Sequence, residues 1–421
     1  MGGMSEIKIG DSYRDYMFGL IESICEKIGP REPGSSEELR AADVIEEEFK
    51  KHCDTTSQES FECHPEAFLG FIKYSALLTA IGLVAYWSSF FPSVTKLPLL
   101  SEFNLTLTCL ILSSVSALLF WKEFLNYDEF VDPLFPKKSS KNVIGVINPA
   151  GEVKKTVIFS GHHDSAYEFN VWYIFKSFGV VLMLLGIIVL FSVLVVSLLR
   201  VINYIHPFMG AEAFFYAGVA FAFLIPLVAA NFKFHSHRSV LGAFDNLSAV
   251  AIVSGIGKYL RDNRGDPKIF PKNTRVLLIS FGCEEAGLRG SRRYVETHSE
   301  ELRKAGAICV NMDGIGQKEK IKIVARELSI GARHSPEVYE GLMQVTQQLG
   351  ITAECYTLPF GASDAASFSF ENLPAASIFA VKASKLPEFY HTRLDTPKIV
   401  EKEALEKVMR ICLGYLKRID G

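Results

Sequence analysis

Four long stretches of the chain contain no Asp, Glu, Lys or Arg and consist mainly of apolar residues. They cover residues 74–95, 103–121, 177–199 and 213–232. A helix needs about 20 apolar residues to cross the hydrocarbon core of a bilayer. The pattern therefore predicts four transmembrane α-helices, which short connections pair into two hairpins. Four buried helices of a large soluble core are the alternative, because hydropathy alone does not separate the two cases.

The predicted hairpins divide the rest of the chain into three segments. We expect hairpins at residues 67–121 and 173–232, and one discontinuous domain built from residues 1–66, 122–172 and 233–421. An even number of crossings places all three segments on one side of a membrane. Lys and Arg cluster on that side, whereas the two short loops carry only Lys96 and Arg200. The positive-inside rule then predicts a multi-pass membrane protein whose domain faces the cytoplasm.

Outside the hairpins, short β-branched segments alternate with helical patterns. Strands are predicted at residues 142–147, 156–160, 275–281, 307–312, 320–325 and 375–380. Helices are predicted at residues 13–28, 36–51, 246–261, 288–298, 335–349 and 402–417. This alternation indicates an α/β fold with a mixed, largely parallel sheet flanked by helices. Sheets of this kind bind ligands at the carboxyl ends of their strands.

Composition excludes several other classes of protein. Apolar residues make up 49% of the chain and charged residues 22%, with a net charge of -3. The apolar content excludes a disordered chain, and 8 cysteines in 421 residues are too few for a disulfide-built scaffold. The near-neutral charge gives no reason to expect nucleic acid as a partner. We expect the cysteines to be reduced thiols.

Candidate chemistry lies at five places, each next to a predicted strand end or helix start. The five segments are residues 159–164, 242–249, 280–287, 310–314 and 388–397. Together they contain His and carboxylate side chains of the types that bind Zn²⁺. A single His or Asp at a strand end is more often structural, so the prediction depends on all five occurring together.

In this order the five segments resemble the co-catalytic two-zinc exopeptidases of peptidase family M28. That family includes bacterial secreted aminopeptidases, glutamate carboxypeptidase and the transferrin receptor. Residues 28–35 and the helix after them also resemble its opening segment. The resemblance covers residues 1–66 and 140–415 and leaves the hairpins outside. It implies the zinc exopeptidase fold and two Zn²⁺ ions per chain.

The resemblance also implies a set of metal ligands. In chain order they are His162, Asp245, Glu285, Asp313 and His391. Asp245 would bridge the two ions, with His162 and Asp313 completing one site and Glu285 and His391 the other. Two metal ions that share a water lower the pKa of that water.

Two further carboxylates receive roles from the resemblance. Glu284 would be the general base, which suits a carboxylate with a raised pKa beside the water. Asp164 would fix the second ring nitrogen of His162. Tyr390, Phe360, Ser363 and Asp364 are the candidate substrate contacts.

The sequence departs from the family pattern at three positions. Phe244 stands where a second acidic residue often precedes the bridging Asp, and Ala249 follows Ser248 where the family has Ser-Gly. The usual Ser-Asp-His segment is here Ser363-Asp364-Ala365. None of these changes removes a predicted ligand, but they leave the shape of the substrate pocket open.

Other His and Cys residues offer competing sites. His52, Cys53, Cys63 and His64 could hold a structural zinc, although the spacing between the pairs suits a strand hairpin better. His163 is less suited than His162 as a ligand, because only His162 has Asp164 two residues later. Cys283 is more typical of a small buried side chain than of a nucleophile.

The sequence therefore favours a membrane-anchored, zinc-dependent exopeptidase, most simply an aminopeptidase. We expect a peptide substrate, of hydrophobic or membrane-derived character, and a lipid bilayer as partner. The alternatives are another amide hydrolase, a one-zinc aminoacyl (glutaminyl) cyclase, and a receptor or scaffold with an inactive peptidase fold. A transporter is disfavoured, because the apolar stretches contain no ionisable residue apart from Tyr and Cys.

Overall fold

The computed structural model describes residue 7 and residues 9–231, 234–382 and 387–421. The chain forms two compact units. Unit 1 consists of Met1–Pro65, Pro136–Glu168 and His237–Gly421, and unit 2 of Glu66–Phe135 and Phe169–Ser236. Each unit is thus assembled from separate stretches of the chain.

Unit 1 is built on a nine-stranded mixed sheet. Its strands are β1 (Thr55–Cys63), β2 (Lys138–Ile147), β3 (Lys155–His162), β6 (Thr274–Phe281), β7 (Ala307–Ile315), β8 (Ile321–Glu327), β9 (Ala332–Arg333), β10 (Ala353–Leu358) and β11 (Ala375–Ala380). Their spatial order is β1-β2-β6-β3-β7-β11-β8-β10, with β9 paired to β8. Two short strands, β4 (Tyr167–Phe169) and β5 (His235–Ser239), form a separate sheet.

The four central strands, β6, β3, β7 and β11, run parallel to one another. Antiparallel pairs flank them, since β2 pairs antiparallel with β6, and β8 with β11. The prediction of a mixed sheet flanked by helices is confirmed. Because the four parallel strands are neighbours, their carboxyl ends meet along one edge of the sheet.

Helices cover both faces of this sheet. They are α1 (Asp11–Lys27), α2 (Ser36–Lys50), α9 (Ser248–Asp262), α10 (Arg289–Lys304), α11 (Pro336–Gln348), α12 (Ala365–Phe370) and α13 (Lys402–Asp420). One apolar core joins α1, α2, α9, α11 and α13 to the sheet, and a second joins α10 and α12 to it. The amphipathic spacing of these helices places their apolar side chains in the two cores.

Unit 2 consists mainly of apolar helices. They are α3 (Ala67–Ser88), α4 (Pro92–Thr95), α5 (Glu102–Leu119), α6 (Asn170–Phe175), α7 (Ser177–Ile205) and α8 (Ala211–Asn231), and a π-turn at Phe120–Leu125 prolongs α5. Four stretches, Ala67–Ser88, Glu102–Leu125, Val181–Ile205 and Ala211–Ala229, are long and apolar enough to cross a membrane. The four apolar helices expected from the sequence are therefore present.

The helix ends differ from the limits that the charged residues suggest. Helix α3 starts before Lys73, and α7 continues past Arg200 to Ile205, so both charges lie within helices and not at their ends. Arg200 is buried, and its guanidinium bonds Ser89 Oγ at 2.7 Å and lies 4.0 Å from the Phe90 ring centre. Its charge is thus accommodated within unit 2. Phe232 and Lys233, the predicted end of the fourth stretch, lie outside the described residues.

Candidate active site

The predicted ligands lie at the carboxyl edge of the four parallel strands. His162 is the last residue of β3, and Asp313 lies near the end of β7. Asp245 lies in the turn Ala243–Leu247 before α9, which begins at Ser248 and not at the predicted residue 246. Glu284 and Glu285 follow β6, and His391 lies in the segment between β11 and α13. Residues up to 229 positions apart in the chain thus share one edge.

The structure brings these side chains and Glu284 into three overlapping groups, of which two consist of predicted ligands alone and the third joins Glu284 to His162 and Glu285. One ligand atom from each of His162, Asp245 and Asp313 lies within 4.8 Å of the others, and the same holds for Asp245, Glu285 and His391. Asp245 is common to these two groups. Its Oδ1 lies 3.2 Å from His162 Nε2, and its Oδ2 lies 3.2 Å from His391 Nε2.

The donor set fits divalent metal ions. His162 is fully buried, yet neither ring nitrogen makes a well-directed hydrogen bond, and the buried Oε1 of Glu285 makes none either. His391 Nε2 lies 3.2 Å from that same Glu285 oxygen. Buried polar atoms normally have hydrogen-bond partners, so polar atoms that converge without them indicate a site for a cation. Imidazole and carboxylate are the ligand types of zinc.

Electrostatics in the site couple the histidines to the carboxylates. Burial lowers the pKa of His162, but the carboxylates of Glu284, Asp164 and Asp245 raise it well above its ordinary value. Burial likewise opposes the charge of His391, whereas Glu285 and Asp245 raise its pKa to about 10. Asp245 shows the complementary effect, since the two histidines lower its pKa against the effect of burial. The site therefore favours bound positive charge.

Glu284 lies beside the ligands with a different electrostatic balance. Burial is the main cause that raises its pKa well above the ordinary value, and neighbouring carboxylates, Asp364 first among them, add to the effect. Its Oε2 lies 3.6 Å from His162 Nε2. A carboxylate with a raised pKa can accept and return a proton near neutral pH.

Asp164 links the two loops that carry the predicted base and ligands. Its Oδ1 lies 3.3 Å from His162 Nδ1. Its two carboxyl oxygens also accept hydrogen bonds from the backbone N–H groups of Glu284 and Glu285, at 3.1 and 2.9 Å. One buried carboxylate thus orients both the histidine and the loop after β6.

The four candidate substrate contacts lie in different environments. The Tyr390 ring stacks on His391 with ring centres 3.9 Å apart, and Phe360 is 51% exposed. Ser363 is buried, and its hydroxyl bonds Glu327 at 2.5 Å and Ser377 at 2.6 Å. Asp364 is buried, and burial is the first cause that raises its pKa to about 7. The roles of all four in substrate binding remain predictions.

Two buried residues that hold the ligand loops were not predicted. Asp395 accepts hydrogen bonds from the backbone N–H groups of Phe244 and Asp245, at 2.7 and 3.1 Å. Arg31 donates from Nε to the carbonyl of His163 at 2.7 Å and from Nη2 to the carbonyl of Gly242 at 3.3 Å. Both lie in segments named from the sequence, but a single sequence shows no signal that separates them from surface charges.

The competing zinc clamp does not come together among the residues that the structure describes. His52 lies 3.1 Å from the Tyr16 hydroxyl, and Cys63 Sγ lies 3.7 Å from Cys283 Sγ. The expected hairpin between the two pairs is wrong, because residues Thr55–Cys63 form one continuous strand that pairs with β2. His163 bonds Ser280 Oγ through Nδ1 at 2.9 Å.

Comparisons with known proteins agree with this arrangement. Residues 227–416 match the sequence model of Peptidase family M28. Aminopeptidase YwaD of Bacillus subtilis (strain 168) is 28% identical over 171 residues, which cover 39% of this chain and 35% of that protein. The aligned part thus spans about a third of this curated relative.

Solved structures share the fold across most of the chain. The zinc aminopeptidase BSAP of Bacillus subtilis matches with a TM-score of 0.56 and 13% identity, over 96% of this chain and 94% of that one. A glutaminyl cyclase of Bacteroides thetaiotaomicron matches with a TM-score of 0.53 and 12% identity, over 96% and 97%. At such identities the likeness shows the fold alone.

The segment that matches the family model contains five of the seven predicted metal and catalytic residues. They are Asp245, Glu284, Glu285, Asp313 and His391. His162 and Asp164 lie before it, on the central strand β3 and in the loop that follows it. The resemblance to peptidase family M28 that the motifs indicated is thereby confirmed over this segment.

Proposed function

We propose that the chain is a zinc-dependent exopeptidase, and specifically an aminopeptidase, that binds two Zn²⁺ ions. The observation that carries this proposal is the position of Asp245, which belongs to both of the groups that consist of predicted ligands alone. The family match and the curated aminopeptidase relative support the reaction class. A receptor or scaffold with an inactive fold is disfavoured, because all five ligands and Glu284 are present and converge.

In the proposed reaction, residues of the chain hold the reacting groups in place and transfer a proton. Zinc, when bound by the five ligands, supplies the Lewis acidity that makes water a nucleophile near neutral pH. Glu284 accepts a proton from the attacking water and returns it to the leaving amine, for which its raised pKa suits it. Asp164 holds His162 and the backbone of Glu284 in fixed positions relative to each other.

Metal content and end specificity test this proposal together. We expect about two zinc ions per chain, measured by inductively coupled plasma mass spectrometry, as two ligand groups require. We also expect a tetrapeptide with a free amino terminus to be shortened from that end, whereas the acetylated peptide is not. Zinc near one per chain, or cleavage of the acetylated peptide from its carboxyl end, would contradict the proposal.

Glutaminyl cyclisation is the second candidate function. It is favoured by the fold likeness to the Bacteroides thetaiotaomicron glutaminyl cyclase. A peptide that begins with Gln separates the two reactions by mass spectrometry. Hydrolysis releases free Gln, whereas cyclisation releases ammonia and leaves the peptide at its full length with a blocked amino terminus.

We further propose that unit 2 anchors the chain in a bilayer with unit 1 on the cytoplasmic side. Four apolar helices of sufficient length support the anchor, and the Lys and Arg bias of the sequence supports the orientation. A natural cysteine reports the orientation, because Cys355 is exposed in unit 1. Labelling of Cys355 in intact cells by a membrane-impermeant maleimide would contradict the cytoplasmic orientation, whereas labelling only after lysis is expected.

The substrate proposed for such an anchored enzyme is a hydrophobic or membrane-derived peptide. The support is the membrane-spanning length of the helices in unit 2. With the full chain in liposomes, kcat/KM should be higher for a peptide that carries a carboxyl-terminal alkyl amide than for the same peptide without it. Equal values would contradict delivery through the membrane.

A further inference from the structure

The loop that carries Glu284 is held by its backbone amides. Four consecutive N–H groups, those of residues 282–285, each donate to a buried side chain. Gly282 donates to Asn142 Oδ1 at 3.2 Å, and Glu284 and Glu285 donate to the carboxylate of Asp164. The remaining N–H group, that of Cys283, donates to Glu38 Oε1 at 2.8 Å. Glu38 therefore supplies one of the four anchors although it lies 245 residues earlier in the chain.

Glu38 belongs to the start of helix α2. Ser35 is the N-cap, and its hydroxyl accepts a hydrogen bond from the backbone N–H of Glu38 at 3.0 Å. Glu38 Oε2 in turn accepts from the N–H of Gly34 at 2.7 Å. The arrangement is similar to a capping box, except that the glutamate three residues after the N-cap accepts from the N–H of Gly34, the residue before the cap. One carboxyl oxygen of Glu38 thus fixes its own helix and leaves the other for a distant partner.

The second oxygen of Glu38 lies in a closely packed site. Oε1 accepts from Ser140 Oγ at 2.9 Å as well as from Cys283. A Cβ atom on Gly282 would lie only 2.9 Å from this oxygen and would also collide with Ser140 Oγ. The Glu38 side chain is fully buried. The glycine before Cys283 therefore leaves room for the carboxylate to reach the loop.

Cys283 adopts a backbone conformation that needs such support. Its φ is 51°, in the left-handed region that non-glycine residues seldom occupy. A conformation of this kind persists only where the surrounding structure imposes it. The next residue is Glu284, so the φ of Cys283 sets the direction in which the chain delivers the Glu284 side chain.

We propose that Glu38 is a positioning residue for Glu284, holding the Cys283 backbone so that the carboxylate of Glu284 faces the metal ligands. This inference rests on the proposed function of Glu284 as the base. It assigns to helix α2 a role in the reaction that is separate from its packing. Glu38 itself belongs to none of the groups of candidate metal ligands.

Two substitutions and one matched control test the role. Glu38→Ala removes the hydrogen bonds from Gly34, Cys283 and Ser140. Glu38→Gln keeps the shape but gives one of the two backbone N–H groups a donor in place of an acceptor. Glu48→Gln is the control, because Glu48 is a buried glutamate on the same helix whose partners are Tyr16, Lys51 and His52. The isosteric Glu38→Gln keeps the test decisive if Glu38→Ala does not fold.

Backbone hydrogen exchange is the readout that does not depend on activity. In the full chain without added zinc, we expect the peptide covering residues 280–288 to exchange roughly tenfold faster in the Glu38 variants, as for one lost hydrogen bond. The Glu48→Gln variant should leave that peptide unchanged. Unchanged exchange in both Glu38 variants would overturn the proposal, even if the wild-type chain proves to have no peptidase activity.

Kinetics then separate positioning from general stability. For leucine p-nitroanilide, kcat should fall about 10- to 100-fold in Glu38→Ala, while KM changes less than twofold and zinc content stays at the wild-type value. Glu48→Gln should leave kcat unchanged. Faster exchange with an unchanged kcat, or an equal fall of kcat in Glu48→Gln, would show that Glu38 is merely structural.

Discussion

Buried polar side chains in the helices of unit 2 differ from those at the sheet edge of unit 1 in whether hydrogen bonds satisfy them. In unit 2 they bond to neighbouring groups, as Ser75 Oγ does with Ser116 Oγ at 2.6 Å and Thr79 with the Ser75 carbonyl at 2.9 Å. At the edge of the sheet in unit 1, His162 and Glu285 converge with buried atoms that no hydrogen bond satisfies. Satisfied groups indicate packing, whereas convergent unsatisfied groups indicate a ligand.

The difference follows from the cost of burying polar groups. A hydroxyl within a helix can bond the carbonyl four residues before it, as Ser113 does with Cys109 at 2.8 Å. Several carboxylates at one sheet edge have no such local solution, because they repel one another. They remain together only with compensating positive charge, from histidines or from metal ions.

The largest effect expected on the unit 1 side comes from Glu284→Gln. The amide cannot accept the proton, so kcat should fall about 10³-fold, within the range for general base catalysis. Zinc content, measured in parallel, should stay unchanged. Activity near the wild-type value would show that Glu284 is not the base of the proposed reaction. The unsatisfied groups beside it would then have no demonstrated role in catalysis.

Metal removal tests the same group of side chains in unit 1 without a substitution. A chelator should lower the thermal stability, because zinc bound only to the folded state contributes about 4 kcal/mol at a thousandfold excess over Kd. Differential scanning calorimetry before and after zinc is restored measures this contribution. Asp245→Asn should reduce the gain in thermal stability from added zinc. A melting temperature that changes neither with the chelator nor with restored zinc would contradict a metal centre.

Arg31→Ala tests a group that is buried and satisfied within unit 1. Its guanidinium donates to the carbonyls of Gly29, His163 and Gly242, and the substitution removes these three hydrogen bonds. We expect the free energy of unfolding to fall by about 3 kcal/mol. Denaturant titration of the full chain measures the change, with Arg40→Ala at an exposed site as the control. A loss below that of the control would show that Arg31 does not hold the ligand loops.

The smallest effect should come from Ser116→Ala in unit 2. Hydrogen bonds between membrane helices contribute about 0.6 kcal/mol on average, so unfolding in detergent should change by that order. The activity should not change. A fall in activity comparable to that expected for Glu284→Gln would break the contrast, since it would give a satisfied hydroxyl in unit 2 a functional role.

The central strands and the position of the candidate ligands at their ends could be predicted from the sequence. Strand β11 occupies the predicted residues 375–380, and β3, β6 and β7 contain their predicted ranges. These strands are buried, so their apolar runs are long and β-branched. Their polar ends are therefore conspicuous, which is why the sequence alone indicates His162 and Asp313 as candidate ligands.

Edge strands and supporting residues were not predictable in the same way. Strands β1 and β10 are largely half-exposed and carry polar side chains, so no apolar alternation marks them. Asp395 and Arg31 are buried through contacts with distant segments, which a local pattern does not contain. Glu38 is an intermediate case, because Ser35 and Glu38 have capping-box spacing but nothing local identifies Cys283 as a partner.

The three-part construction of unit 1 has a consequence during synthesis. His162 leaves the ribosome about 230 residues before His391, which at 5–20 residues per second is a delay of roughly 10–50 s. Helices α7 and α8 are made within this interval. The nascent chain therefore holds an incomplete set of the predicted ligands until its last part has emerged, and the proposed metal site cannot assemble before the chain is nearly finished.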